Sequence, residues 1–272
     1  MTITREPLFE NAPDGFFSTL IRPAVSYCCR VGSATLLAIE GLLLAPGTFL
    51  RRHARASTMD ALYTTGIRTL PVITVVALFT GMILGLQVGL QLARFNQESY
   101  LGAAVMVSLL REMGPFVTGI CLSACVGSRM AAELGAMTVN DEIAALEIMS
   151  ISPVRFLVAP RMAALVLMSP LLAFYACVLG CIGGGVVGYT QLNVDFNQYI
   201  MSALSISDMK DLFTGLSKAL VCGIIIGAVA CHEGFSTRLG AMGVGRATQR
   251  SVIVAFLLIL MSGYMIDRFL YF

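Results

Sequence analysis

The sequence is short of charge. Of its 272 residues, 12% are Asp, Glu, Lys or Arg, against a share near 25% in ordinary soluble domains. With 57% hydrophobic residues and a mean hydropathy of +0.83, its natural solvent is a bilayer. The length would allow two soluble domains, but the apolar runs are too long and too closely spaced for water-facing surfaces, so 1–272 reads as one membrane unit. A net charge of +2, with no interleaving of basic and aromatic residues, excludes a nucleic-acid face. The two histidines and eight cysteines form no C-x-x-C pair and no metal pattern. Most of the cysteines fall in apolar stretches and read as small buried residues; acylation of Cys28 and Cys29 at an interface is the alternative. No G-x-x-x-x-G-K-[ST] loop is present, so the chain does not cradle ATP in that manner, and Gly243-Val244-Gly245 has no preceding strand to make a nucleotide fingerprint. No nucleophile has a base at helical spacing, which argues against an intramembrane enzyme. Thr2 to Asp14 carries Arg5, Glu6, Glu10 and Asp14 around no apolar core, unlike a signal peptide.

What is present is a series of uncharged runs near the ~20 residues that a spanning helix needs. Five are expected, at about 69–93, 101–128, 162–187, 212–231 and 251–270. The second is interrupted by Arg111 and Glu112, the fourth by Lys218, and the third is followed by an outer loop around Gly188 to Asn193. Ahead of them, 16–50 is apolar in patches but carries Arg22, Arg30 and Glu40, which suits a helix lying in the interface. With five spans and the N-terminus inside, the inner segments hold Arg5, Arg22, Arg30, Arg51, Arg52, Arg55, Arg68, Arg129, Arg155, Arg161, Arg238, Arg246 and Arg250. The outer ones hold only Arg94, Lys210 and Arg268. The positive-inside rule therefore places the N-terminus in the cytoplasm and the C-terminus on the outer, periplasmic side.

Gly81, Gly85 and Gly89 recur every four residues, as do Gly223 and Gly227; small residues at that spacing let helices approach closely in lipid, within one chain or across a dimer. A charge in mid-membrane costs at least roughly 2.5 to 3.5 kcal/mol on insertion scales, so Arg111, Glu112 and Lys218 need partners or a wet cavity. Glu112 and Lys218, on different spans, are complementary. Between Arg129 and Arg161 the chain leaves the hydrocarbon and returns. Thr138 with Asp141 resembles a helix-start signal, and Pro153 bounds the segment. Ile143, Leu146 and Met149, or Ile148 on the neighbouring stripe, give it an apolar side opposite Asp141, Glu142 and Glu147. This short amphipathic helix, 139–149, is either an interfacial connector or a docking helix for a soluble partner.

Four blocks in order, L-L-R-E-M-G-P-F-V-T from Leu109, A-A-E-L-G-A-M-T-V from Ala131, D-E-I-A-A-L-E-I-M from Asp141 and S-P-V-R-F-L-V-A-P-R from Ser152, resemble the MlaE/YrbE permease family. G-V-G-R-A-T from Gly243 resembles its last cytoplasmic loop. The resemblance covers about Thr65 to Phe272. It implies an all-α integral membrane protein with an N-terminal interfacial (elbow) helix, five spans and a cytoplasmic coupling helix between the second and third. It also implies a homodimeric permease of an ATP-binding-cassette transporter in the inner membrane, moving phospholipids, or in other lineages sterols or fatty acids. ATP and Mg2+ would be held by a separate ATPase docked under the coupling helix at Asp141, Glu142, Ile143, Leu146, Glu147 and Met149. An MCE-domain protein would sit on the outer side, and this chain would bind no cofactor. Arg111, Glu112 and Lys218 then become candidates for a polar site near a lipid head group. Leu84, Val88, Leu92 and Phe95, at helical spacing, either line a cavity for the tails or face bulk lipid. Members often carry an acid in the last span; a gapless reading puts Ser262 there, with Asp267 at the helix end. The competing class is an ion-coupled secondary transporter with Glu112 and Lys218 as coupling groups. Against it, five spans do not divide into two equal repeats.

Overall fold

Glycine decides how the long helices meet. In the computed structural model, α2 (Leu70–Arg94) lies along α5 (Val154–Leu192). A Cβ on Gly81 would collide with the Gly180 backbone, and one on Gly85 would sit 2.8 Å from Gly184 Cα. The glycine seam is therefore an intrachain contact, backbone against backbone, of the kind that replaces hydrophobic drive in lipid. Gly223 and Gly227 serve the same end on α7 (Met209–Phe235), meeting Ser169 and Met162 of α5.

The structure describes residues 52–271 except 193, 207 and 239, together with parts of 32–44. Most of the interfacial region expected at 16–50 lies outside the described residues. Within it, a short apolar helix covers Thr35–Leu44, with Leu37 buried and Gly41 against Val158 and Met162. From there α1 (Arg52–Thr65) leads through a turn into α2. Pro71 sits in the first turn of α2, where its missing N–H costs nothing. Next come α3 (Glu98–Val139), the short α4 (Glu142–Ile148), α5, α6 (Phe196–Ile206), α7 and α8 (Gly240–Tyr271). All the regular structure among the described residues is helical, and five helices are long and apolar enough to cross a membrane.

The expected spans are all there, but their ends move. The second helix, expected to end at 128, runs 42 residues to Val139; at 1.5 Å per residue that is roughly 63 Å, about twice the hydrocarbon thickness. Hydropathy registers only the part in hydrocarbon, whereas the helix continues through Arg129 and Glu133. For the same reason α5 begins at Val154 and α8 at Gly240, whose φ of +65° suits the one residue without a Cβ. The outer loop expected around Gly188 to Asn193 is mostly helix, because α5 continues to Leu192.

The connector helix is shorter than 139–149. Val139 closes α3, and α4 occupies only Glu142–Ile148. Thr138 is not a cap: its hydroxyl donates back to the Leu134 carbonyl and on to that of Gly234. Asp141 turns the chain instead, at φ 58°, and Ser150 does so on the far side at φ 59°. Two left-handed residues thus offset a short helix from the bundle axis.

Two elements stand out by their exposure. In α6, between α5 and α7, buried Tyr199 donates its hydroxyl to the Cys181 carbonyl at 3.0 Å, while Met201 and Leu204 are exposed. In α8 one stripe, Gly243, Ala247, Ser251, Ala255 and Ile259, faces the bundle. Little of its apolar stretch is buried, 11% against 56% for that of α7. Val254 and Leu258 flank that stripe, partly buried against the core, while the opposite face, including Leu257, Met261 and Tyr264, is bare.

Candidate functional site

Pro115 and Gly215 set the site up. Proline has no N–H to give the carbonyl four residues back, which is that of Arg111. Just before Pro115, at Leu109–Met113, α3 widens into a π turn, a local form that recurs at functional sites. Opposite it on α7, Gly215 packs on the Leu110 carbonyl so closely that a Cβ would not fit. This approach brings Asp211 and Lys218, which share one face of α7, onto Arg111 and Glu112.

The result is a chain of ion pairs. Arg111 Nε donates to Asp211 Oδ1 at 2.6 Å. Lys218 Nζ donates to the Arg111 carbonyl at 2.8 Å and to Glu112 Oε1 at 2.5 Å. Asp267 Oδ1 of α8 lies 2.5 Å from the same Nζ, as an ion pair rather than an aligned hydrogen bond. An ammonium group has three N–H donors, and three oxygens surround this one. Burial is uneven: Asp211 and Lys218 are 2% and 3% exposed, while the Arg111 and Glu112 side chains are 41% and 52% exposed. The buried ends anchor the cluster, and the open ends present a guanidinium and a carboxylate at the bundle surface.

The structure thus brings together Arg111, Glu112 and Lys218, the three intramembrane charges singled out in the sequence. It adds Asp211 and Asp267, which sequence reasoning left outside because each sits at a span end. The signal for Asp211 was its spacing of seven from Lys218, which places both on one helix face. The apolar candidates divide. Leu84, Val88 and Leu92 are partly buried against Leu101, Val105, Leu109 and Tyr199, and Phe95 is exposed. In the connector, Ile143 and Leu146 pack on the main core. Asp141, Glu142, Glu147, Ile148 and Met149 are exposed.

A second ionic group lies at the connector end, where α3 meets α5. Glu133 takes Arg129 Nε at 2.7 Å and Arg161 Nη2 at 3.1 Å. The Arg129 and Glu133 side chains remain partly exposed, at 42% and 38%.

A bundle of five bilayer-length helices with an ion-paired centre between three of them has the build of a membrane permease. A family model described as Permease MlaE matches residues 58–269. A probable ABC transporter permease protein of Rickettsia typhi is 36% identical over 206 residues, 76% of this chain and 80% of that protein. The intermembrane phospholipid transport system permease protein MlaE of Haemophilus influenzae is 31% identical over 246 residues, 90% of this chain and 93% of that one. The chain belongs to the MlaE permease family.

Proposed function

We propose that this permease moves phospholipid between the inner membrane and an MCE-domain carrier on its outer side, for outer-membrane lipid homeostasis, driven by an ABC ATPase subunit. The carrying observation is the half-open ion-paired centre. Arg111 and Glu112 offer opposite charges at the surface of an apolar bundle, a match for the phosphate and amine of a lipid head group. The names of the Rickettsia and Haemophilus relatives agree with both the energy source and the cargo.

In this reading a second copy covers the bare apolar face of α8, and the tails lie against apolar surface there and near Leu92 and Phe95. The ATPase, which holds ATP and Mg2+, docks on α4, where Ile148 and Met149 project among Asp141, Glu142 and Glu147. The connector and the N-terminus are cytoplasmic and the C-terminus periplasmic. The test is transfer of a fluorescent phospholipid in proteoliposomes containing the permease and its co-purified ATPase. Transfer that needs ATP and Mg2+ supports the reading. Transfer by the lone chain under a proton gradient would instead make it an ion-coupled secondary transporter.

A further inference from the structure

The amphipathic pattern of α1 is inverted. Ser57, Asp60, Ala61 and Thr64 recur at helical spacing on one face, and that face lines a cleft of about 490 Å3 shared with α3 and α5. Met59 and Tyr63 of α1, and Ile67 in the turn that follows it, are exposed. Ser57 and Asp60 are themselves exposed, so α1 lines an open cleft at the connector end of the bundle with its polar residues while its apolar ones face out, the reverse of a helix packed on an apolar core.

The cleft is rich in guanidinium. Arg68 enters from the turn before α2, Arg129 from α3 and Arg161 from α5, against the carboxylates of Asp60 and Glu133. Glu133 is already engaged by Arg129 and Arg161. Arg161 Nη1 nevertheless remains buried with no hydrogen-bond partner, and a buried unmatched donor on a charged group carries a full desolvation cost. An acceptor is needed there, and with three guanidinium groups around the cleft a phosphate, with several oxygens, matches them. Asp60 adds a carboxylate that favours an anion carrying its own ammonium. On the other flank of α1, Met59, Leu62, Tyr63, Ile67 and Met168 line an apolar groove that also includes Asp60. Polar cleft and apolar groove meet at one residue, as an amphiphile requires.

We infer that this cleft binds the phosphate of a zwitterionic phospholipid head group, with an acyl chain in the adjoining groove. It is a second lipid site, distinct from the ion-paired centre, and it does not depend on the transport reading. Cys125 lines the cleft and supplies a probe in the unmodified chain, with buried Cys121 as its control. The test is the rate of maleimide labelling at Cys125, read by peptide mass spectrometry on the full-length, lipid-stripped chain in detergent. Phosphatidylethanolamine should slow labelling, whereas diacylglycerol and inorganic phosphate should not. Arg161→Gln and Arg68→Gln should each weaken that protection about tenfold, as loss of one charge-assisted hydrogen bond implies. Arg68 makes no ion pair with the described residues, so its variant keeps the test clear of folding defects. Protection by inorganic phosphate alone would make the ligand a free anion and overturn the lipid assignment. Equal protection by diacylglycerol, no protection by phosphatidylethanolamine, or undiminished protection in both variants would overturn the site.

Discussion

The inner and outer ionic groups, around Lys218 and around Glu133, use the same side-chain chemistry in different surroundings. At the connector end, Glu133 bridges Arg129 and Arg161 where two of the three side chains are partly in contact with solvent. Inside the bundle, Lys218 gathers Glu112, Asp267 and the Arg111 carbonyl with almost none of its own surface exposed. Exposed pairs gain little because water and salt screen them. Removing one partner of a buried pair strands a charge that nothing else solvates. Stability should therefore rest on the inner group and tolerate change in the outer one.

The largest effect is expected for Lys218→Met, which leaves Glu112 and Asp267 facing each other without their cation. It should cost about 3–5 kcal/mol, seen as a sharply lowered unfolding temperature in detergent or as failure to accumulate in the membrane. A parent-like melting curve would remove the inner group from any structural role. The glycines beside the two groups carry the comparison further. Gly215→Ala would drive a Cβ into the rigid Leu110 carbonyl and should cost about 1–3 kcal/mol by overpacking. Gly135→Ala, near the outer group, meets the Thr237 hydroxyl at 2.9 Å. Thr237 is buried and bonded to the Glu233 carbonyl, so it must shift by a few tenths of an ångström, but alanine gains up to about 1 kcal/mol in helix propensity, and the change should cost less than Gly215→Ala. Thermal unfolding of the two variants side by side separates these cases. Glu133→Gln should cost about 1 kcal/mol or less, a difference that shrinks as ionic strength is raised.

Much of the architecture was legible because a bilayer imposes length and polarity together. Five long apolar runs, two of them interrupted by charge, predict five helices, and the cost of burying Lys218 calls for a partner or a wet cavity, with Glu112 the complementary charge. The errors share one cause, which is that hydropathy says where hydrocarbon ends but not where a helix ends. Val139 and Val154 therefore fall on the wrong side of the expected boundaries, and α6 occupies a stretch between spans for which the sequence predicts no element. The π turn at Leu109–Met113 leaves no periodic signal strong enough to read, although Pro115 was the residue that mattered. Asp267 became meaningful only when packing carried the end of α8 to Lys218. At Thr138 the capping pattern failed because a threonine hydroxyl within a helix returns to its own backbone. The glycine spacing alone suits an intrachain or a dimer seam equally, and Gly180 and Gly184 opposite Gly81 and Gly85 make it intrachain.

The central claim, that the open end of the inner group meets the lipid while its buried end holds the fold, comes down to Glu112. Glu112→Gln keeps the shape of the side chain, and Lys218 retains Asp267 and the Arg111 carbonyl. Its stability cost should therefore be about 1 kcal/mol or less. The decisive measurement is ATP-driven phospholipid transfer by the reconstituted complex carrying this substitution, with its unfolding temperature taken on the same preparation. A large loss of transfer with near-parental stability is the expected result. Parental transfer would contradict the claim.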